Sequence, residues 1–358
     1  MSTLATTPVY FLVPGDINNL TGGYGYDRRL LAELHQLGLN IQLVELAASF
    51  PYPDANALRD ASFILATLPD HSVVIVDGLA FGVMEELAQA HAQRLSFIAL
   101  CHHPLALESG ISVEEQKSLR ISEQLALTNA RAVVVTSKNT AHILVEEFSV
   151  PFDKISIALP GTDARKFAPC NGQTPILLTV ATLTRRKAHD VLIDALAQLM
   201  HLPWEARFVG SSEFDSDWTH YLRNKVSSYS LENRILFLGN LDDISSEYLN
   251  ADIFVLPSLF EGYGMAFAEA LSFGLPIVAA QTGAVPDLVP SIAGILVPPA
   301  DVNALAKSLA QLLTDSTKRK QLQLGARGAA QNLPNWKDSA EIVFQLIQLI
   351  HKSQEVSH

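Results

Sequence analysis

The sequence predicts an α/β protein made of two doubly wound domains, and two features of its patterning support this. First, short apolar runs rich in Val, Ile and Leu alternate with helical stretches, which is typical of a parallel sheet covered by helices on both faces. Second, the alternation occurs in two separate series along the chain. With 358 residues, of which 48% are hydrophobic, the chain is long enough to bury two cores.

The predicted strands of the first series lie at 8–14, 41–46, 72–78, 96–101 and 132–137. Those of the second series lie at 176–183, 206–210, 234–240, 252–258, 275–281 and 293–299. Between the series, the stretch FAPCNGQTP at 167–175 contains Pro and Gly and predicts a linker. The predicted domains are therefore 1–168 and 169–333, followed by a helical segment at 334–358. We expect the cleft between the two domains to bind the ligand.

Composition excludes several classes of partner and location. The net charge of −12 argues against nucleic acid, or an anionic bilayer, as a general partner. Cys101 and Cys170 form neither a disulfide framework nor a zinc set, which favours a reducing compartment such as the cytoplasm. The first residues lack a basic segment followed by a long apolar run, so we expect no cleaved signal. We also expect no integral membrane segment, although peripheral membrane contact stays open.

The most informative segment is PSLFEGYGMAFAEALSFGLPIVAAQTGAVPDLV at 257–289. It predicts a strand, a Gly-rich loop holding Glu261, and a helix that begins near Met265 and carries Glu269. Gly262 and Gly264 leave backbone N–H groups open beside a helix N-terminus, which is a ready site for an anion such as a diphosphate. For an arbitrary pair of glutamates at this spacing, two solvated side chains would be the ordinary interpretation.

The run from Glu261 to Glu269, with Gly262, Tyr263 and Gly264 between them, resembles the signature of family-4 retaining glycosyltransferases of the GT-B fold. The resemblance implies that Glu261 contacts the hydroxyls of the donor sugar and that Glu269 binds the ribose of the nucleotide. It places the loop from Gly262 to Gly264 at the donor phosphates. It also implies two facing Rossmann-like domains, with 1–168 on the acceptor side, 169–333 binding the nucleotide sugar, and 334–358 crossing back to the first domain.

A second segment, VATLTRRKAHDVLIDAL at 180–196, resembles the phosphate-binding strand, loop and helix of that family. There an Arg and, five positions later, a Lys neutralise the donor diphosphate. Lys187 matches the Lys, whereas Thr182 occupies the position of the Arg. Arg185 or Arg186 is expected to supply the missing charge, because a guanidinium suits phosphate oxygens. In isolation, three basic residues at a solvated helix start would be the simpler interpretation.

In the first half, Gly22 and Gly23 lie between the first predicted strand and the following helix, and resemble the glycine loop of the family near the phosphates and acceptor. His102 and His103 follow the fourth predicted strand, where the family places a histidine near the donor sugar. Spacing leaves open which of the two faces the donor, and whether it bonds a hydroxyl or moves a proton. Glu108 is a candidate carboxylate on the acceptor side, with an ordinary loop charge as the alternative.

Two patterns are weighed as metal sites and set aside. Cys101-His102-His103 offers adjacent side chains, which rarely converge on one ion without distant ligands. Asp215-Ser216-Asp217 precedes a predicted helix, where Asp is a favoured cap. The sequence therefore predicts no metal.

The predicted activity is that of a retaining hexosyltransferase-type enzyme. It moves a sugar from a nucleoside diphosphate sugar to a carbohydrate or other hydroxyl acceptor, without metal or cofactor. Glu261, Lys187 and one of His102 and His103 are the candidate catalytic residues. Lys187 and loop N–H groups would stabilise the charge that grows on the departing diphosphate. The alternatives are a nucleotide-sugar 2-epimerase of similar architecture and a non-catalytic glycosyltransferase-like subunit.

Overall fold

The computed structural model describes residues 8–108, 110–213 and 215–355. The chain divides into two compact units. The first unit runs up to Gly161 and resumes at Pro334, and the second comprises Thr162–Leu333. Each unit contains a six-stranded sheet in which every pair of neighbouring strands is parallel. Within the described residues, no helix is long and apolar enough to cross a membrane.

The sheet of the first unit has the order β2-β1-β3-β4-β5-β6. Its strands are β1 Val9–Pro14, β2 Ile41–Leu46, β3 Val73–Asp77, β4 Ser96–Cys101, β5 Ala132–Val135 and β6 Ile155–Ile157. The helices between them are α1 Gly22–Gln36, α2 Ala55–Thr67, α3 Gly78–Phe81, α4 Glu85–His91, α5 Val113–Thr128 and α6 Lys138–Phe148. The central strands β1 and β3 are buried along their whole length, as expected of a sheet covered on both faces. The strand order reverses between β1 and β3, which marks the carboxyl edge of these two strands as the ligand-binding position of the unit.

The sheet of the second unit has the order β12-β11-β10-β7-β8-β9. Its strands are β7 Ile176–Val180, β8 Glu205–Val209, β9 Ile235–Gly239, β10 Ile253–Leu256, β11 Ile277–Ala280 and β12 Gly294–Val297. The helices are α7 His189–Ala197, α8 Ser216–Ser228, α9 Ser245–Asn250, α10 Met265–Ser272, α11 Val285–Leu288, α12 Val302–Thr314 and α13 Ser316–Ala330. Here the order reverses between β7 and β10. The loops that follow these two strands therefore meet at one edge of the sheet.

Every strand predicted from the sequence forms, with ends shifted by a few residues, and the α/β doubly wound prediction is confirmed. One strand, β6, was not predicted, because Ile-Ser-Ile is too short to give a pattern. The predicted linker at 167–175 is wrong, since this segment is part of the second unit. Ala168 donates its N–H to the carbonyl of Phe273 and accepts from Gln323, and Gly172 donates to Asp252. The chain leaves the first unit earlier, at Gly161.

The last helix, α14 Trp336–Glu355, belongs to the first unit and packs against α1, β3 and β6. The Trp336 ring lies 5.6 Å from that of Tyr26, and the guanidinium of Arg29 covers it at 5.2 Å. Gly161 lies directly against Trp336, where a methyl group would collide with the backbone nitrogen. The departing and returning segments of the chain thus touch each other at the border of the first unit.

Candidate active site

In the second unit, the loops after β7 and β10 bring Lys187 and Glu261 together. Lys187 ends the short 3-10 turn that follows β7, and Glu261 lies in the loop between β10 and α10. The Nζ atom of Lys187 donates to Oε1 of Glu261 over 2.7 Å. Since β7 and β10 are paired neighbours, the fold itself sets this contact.

Glu261 is buried and is faced by a second cation. The guanidinium of Arg186 lies 3.8 Å from Oε2 of Glu261 and donates to the carbonyl of Phe260 over 2.9 Å. Burial raises the pKa of Glu261, but Lys187 and Arg186 lower it by more, so the net shift is downward. The carboxylate is therefore ionised at neutral pH, beside two positive charges.

Backbone contacts fix the position of Glu261. The N–H of Leu259 donates to the carbonyl of Arg186 over 2.8 Å, which ties the two loops together. The N–H of Ala284 donates to the carbonyl of Glu261 over 3.0 Å. Gly283 adopts a φ of 51° and lies so close that a methyl group would collide with that carbonyl. The glycine is therefore required by close packing against the site.

The sequence left Arg185 and Arg186 as alternatives for the missing positive charge, and the structure distinguishes between them. Arg185 is about half exposed and turns toward α8, where its guanidinium lies 3.5 Å from Asp215 and 4.7 Å from the centre of the Trp218 ring. Arg186, at 22% exposure, is the one held beside Glu261. Asp215 also accepts the N–H of Trp218 over 2.9 Å and caps α8, as predicted.

Gly262, Tyr263 and Gly264 form the end of the loop that leads into α10. Gly264 has a φ of 94°, a left-handed conformation that favours glycine, and no side chain caps the helix that follows. Uncapped N–H groups at a helix N-terminus attract anions. Tyr263 is buried, and burial raises its pKa to about 12. It is therefore uncharged at neutral pH.

Glu269 lies on α10 and is held by a residue that sequence reasoning did not identify. The hydroxyl of Tyr248 donates to Oε2 of Glu269 over 3.0 Å. Tyr248 is fully buried and stacks on Phe273, with ring centres 4.9 Å apart. Burial raises the pKa of Glu269, against the opposing effect of the Tyr248 hydrogen bond. Nothing in the spacing of Tyr248 on α9 gave a signal for this role.

In the first unit, the histidine that joins a polar cluster is His102. Its Nε2 lies 2.9 Å from Oδ1 of Asp27 on α1 and 3.4 Å from Oδ2 of Asp77, at the end of β3. His103 instead lies 4.0 Å from Glu108, measured from Nε2 to Oε2. The three clustered side chains converge at the carboxyl edge of β1 and β3, where the strand order reverses. Asp27 and Asp77 were not predicted as site residues.

Electrostatics keep His102 charged. Burial lowers its pKa, but the two carboxylates raise it by more, so the pKa lies well above the usual range. Ligand atoms of Asp27, Asp77 and His102 all lie within 4.8 Å of one another, which is a spacing that a metal ion can use. A protonated imidazole, however, has no lone pair to offer an ion. The absence of a metal stays a prediction.

Gly22 and Gly23 do not form a loop as predicted, because they are the first residues of α1. Helix packing overrides the weak helix propensity of glycine here. Thr21 precedes the helix without a side-chain cap, and the first turn contains no acidic residue. A methyl group on Gly23 would lie 3.5 Å from the His102 ring, whereas Gly22 faces open space. The positive end of α1 therefore lies next to His102.

Residues 162–329 match the family model described as Glycosyl transferases group 1. The D-inositol 3-phosphate glycosyltransferase of Corynebacterium diphtheriae is 29% identical over 258 residues, which is 66% of this chain and 60% of that protein. The mannosylfructose-phosphate synthase of Agrobacterium fabrum is 29% identical over 46% of this chain and 41% of its own length. The chain thus spans about three-fifths of the length of the first of these relatives and less of the second.

Solved structures share the fold along nearly the whole chain. Sucrose-phosphate synthase from Thermosynechococcus elongatus has a TM-score of 0.81 at 22% identity, over 97% of this chain and 100% of its own. Anabaena HepE in complex with UDP and glucose has a TM-score of 0.76 at 19% identity, over 96% and 99%. The chain therefore has the GT-B fold of two Rossmann-like units, and residues 162–329 match the group 1 glycosyl transferase model.

Proposed function

We propose that this protein transfers a sugar from a nucleoside diphosphate sugar to an acceptor hydroxyl, with retention of anomeric configuration and without a metal. The observation that carries the proposal is the arrangement of Lys187 and Arg186 around the single carboxylate of Glu261. Two cations face one anion, so the site holds an excess of positive charge. A diphosphate is the ligand that such an excess attracts.

The cations then act on the leaving group. As the bond between the anomeric carbon and the diphosphate oxygen breaks, negative charge grows on the diphosphate and positive charge on the sugar. Lys187, Arg186 and the uncapped N–H groups of α10 are fixed donors that stabilise the departing charge. These groups do what a bridging metal ion would otherwise do, which is why the proposal includes no metal.

The two glutamates serve different ends of the donor. Glu261 is ionised and anchored through its backbone, so it accepts hydrogen bonds from sugar hydroxyls and orients the ring. Glu269 is held by Tyr248 through one oxygen, which leaves the other to accept from the ribose hydroxyls. Both assignments follow the resemblance to family-4 enzymes, and the separate anchoring of each carboxylate supports them.

Retention follows from attack on the same face as departure. The acceptor oxygen forms its bond to the anomeric carbon as the diphosphate leaves, and the acceptor proton passes to a phosphate oxygen of the leaving group. No side chain forms a covalent intermediate in this scheme. The phosphate is the base, so the protein supplies charge, orientation and exclusion of water.

The proposal is tested by incubating the protein with UDP-glucose or GDP-mannose and a panel of hydroxylated acceptors. A metal chelator is present, so that metal independence is tested at the same time. We expect nucleoside diphosphate to be released only when an acceptor is present, and the product to show the anomeric proton coupling of the donor configuration. Release without acceptor, together with a sugar altered at C2, would support the epimerase instead. An inverted product would contradict retention, and activity that returns only with added divalent cation would contradict metal independence.

A further inference from the structure

We propose that Asp27 and Asp77 are positioning residues for the transfer reaction, which hold His102 by its Nε2 atom as a cationic hydrogen-bond donor. His102 then presents its Nδ1–H to an oxygen of the substrate and does not act as a proton shuttle. This inference rests on the proposed function, because it assigns a role in the proposed transfer reaction. It is carried by the geometry of the cluster.

The two carboxylates reach His102 from separate elements. Asp27 is fully buried on α1, and Asp77 is 2% exposed at the end of β3. Oδ1 of Asp77 accepts the N–H of Leu79, so its orientation is set by the start of α3 and its Oδ2 is left for the imidazole. Nε2 of His102 is thus engaged from two sides, and the ring has little freedom to rotate.

Asp27 is fully buried, which is costly for a carboxylate. Its Oδ2 atom is buried and receives no hydrogen bond from any described residue. A buried carboxylate oxygen without a donor costs free energy, and a catalytic role is one of the causes for which proteins keep such a group. Oδ1 of Asp27 contacts His102, and the Asp27 carboxyl also interacts with that of Asp77. Holding the imidazole is the task that the position offers.

Two carboxyl groups face His102, and burial raises the pKa of one of them, Asp27, to about 7. The phenol of Tyr26 on α1 packs against the His102 ring, and the phenol of Tyr24 and the thiol of Cys101 lie close enough to Asp77 to interact with its charge. Burial raises the pKa of each of these three groups, so all are neutral in the physiological range. The side chain of His103 is directed to Glu108. The imidazolium therefore has carboxylate partners and no opposing cation among the described residues around it.

A protonated imidazole cannot accept a proton, and so it cannot act as a general base. It can donate one hydrogen bond from each nitrogen, and Nε2 is already taken. The remaining donor, Nδ1–H, lies in a ring that is 21% exposed. The opposite edge of the ring, at Cδ2 and Nε2, lies toward Gly23 at the start of α1. A cationic N–H donor favours an electronegative oxygen of the substrate as its partner.

The direct test is the charge of His102 in the whole protein. Histidine labelled with ¹⁵N is followed by NMR from about pH 6 to pH 9, with the signal assigned through His102→Gln. We expect imidazolium shifts throughout in the wild-type protein. In Asp27→Asn, His102 is expected to lose its proton within this range, and turnover to fall as pH rises, by about tenfold or more, with donor KM within about twofold.

Asp70→Asn is the matched control, because it removes an exposed carboxylate that pairs with Arg94. We expect neither the charge of His102 nor the pH dependence of turnover to change in this variant. Asp77→Asn provides a second variant if Asp27→Asn does not fold. A neutral His102 at pH 7.5 in the wild-type protein would overturn the inference, as would turnover in both Asn variants that follows the wild-type pH profile. A wild-type protein with charged His102 but no transfer activity would overturn the proposed function alone.

Discussion

The Nζ atom of Lys187 lies 2.7 Å from a carboxylate oxygen of Glu261, in a contact between two loops that are separated widely in sequence. Arg186 is held beside this pair. Such preorganised charge needs no rearrangement when a diphosphate arrives, which is the condition under which fixed donors stabilise a transition state most effectively. The strength of this arrangement can be tested one residue at a time.

Lys187→Ala is expected to lower turnover by about 100-fold or more, because it removes a charge that stabilises the departing diphosphate. Steady-state rates at saturating donor measure the effect. Lys337→Ala is the matched control, since Lys337 is an exposed lysine of α14 that pairs with Glu341, and its rate should not change. Full activity of Lys187→Ala would remove Lys187 from the mechanism.

The two neighbouring arginines provide a matched pair. Arg186→Gln should lower kcat/KM by about tenfold or more, because Arg186 faces Glu261 and adds to the charge at the diphosphate. Arg185→Gln should stay within about threefold of wild type, because Arg185 is engaged with Asp215 and Trp218 on α8. Rates measured on both variants decide the matter. The reverse order of effects would show that the arginines exchange roles when the donor binds.

The glutamates are expected to respond differently to substitution. Glu269→Gln should weaken the binding of free nucleoside diphosphate, because a ribose contact exists with or without the sugar. Glu261→Gln should leave that affinity nearly unchanged and lower turnover, because its partner is the sugar. Calorimetric titration beside steady-state rates separates the two outcomes. Equal loss of nucleotide affinity in both variants would refute the division of roles.

Glu123, on α5, is expected to make stability depend on pH. Its carboxyl is buried and accepts the N–H of Leu105, and burial raises its pKa to about 8. Between about pH 5 and pH 8 the folded state keeps this proton while the unfolded state releases it, so the free energy of unfolding falls as pH rises through this window. Glu123→Gln should flatten that dependence in denaturant titrations.

The exposed pair of Glu147 and Arg120 supplies the control for Glu123, because Glu147→Gln removes a solvated carboxylate from a neighbouring helix. Its stability should follow the wild-type curve across the same pH range. A Glu123→Gln protein with the wild-type slope would show that the buried carboxyl keeps the same proton affinity in the folded and unfolded states.

The sequence predicted the strands well because their apolar runs reflect burial on both faces, which is a local property. Convergence of side chains is not local. His102 and His103 are adjacent, so spacing carried no information on which one turns toward Asp27 and Asp77. The same limit applied to Arg185 and Arg186. Motifs identified the loops that carry charge, whereas direction and partners depend on contacts across the sheet.

The prediction of secondary structure from the sequence failed where the local preference of the residues and their packing disagree. Gly22 and Gly23 begin α1 even though glycine is a poor helix former, and a methyl group on Gly23 would meet the His102 ring at ordinary van der Waals distance. Tyr248 was missed for a related reason, because an aromatic residue on a short helix predicts core packing and nothing more. Its hydroxyl gains a role only through Glu269, which lies on another element.

The first unit is interrupted by the second, and this order has a consequence for synthesis on the ribosome. Helix α14 buries Val343, Ile347 and Ile350, yet it emerges only after all of Thr162–Leu333 has been made. The second unit is continuous and can complete its core first, whereas the nascent first unit must wait for its last helix. A stalled chain ending at Leu333 should therefore hold a protease-resistant second unit beside a first unit that is still open to cleavage.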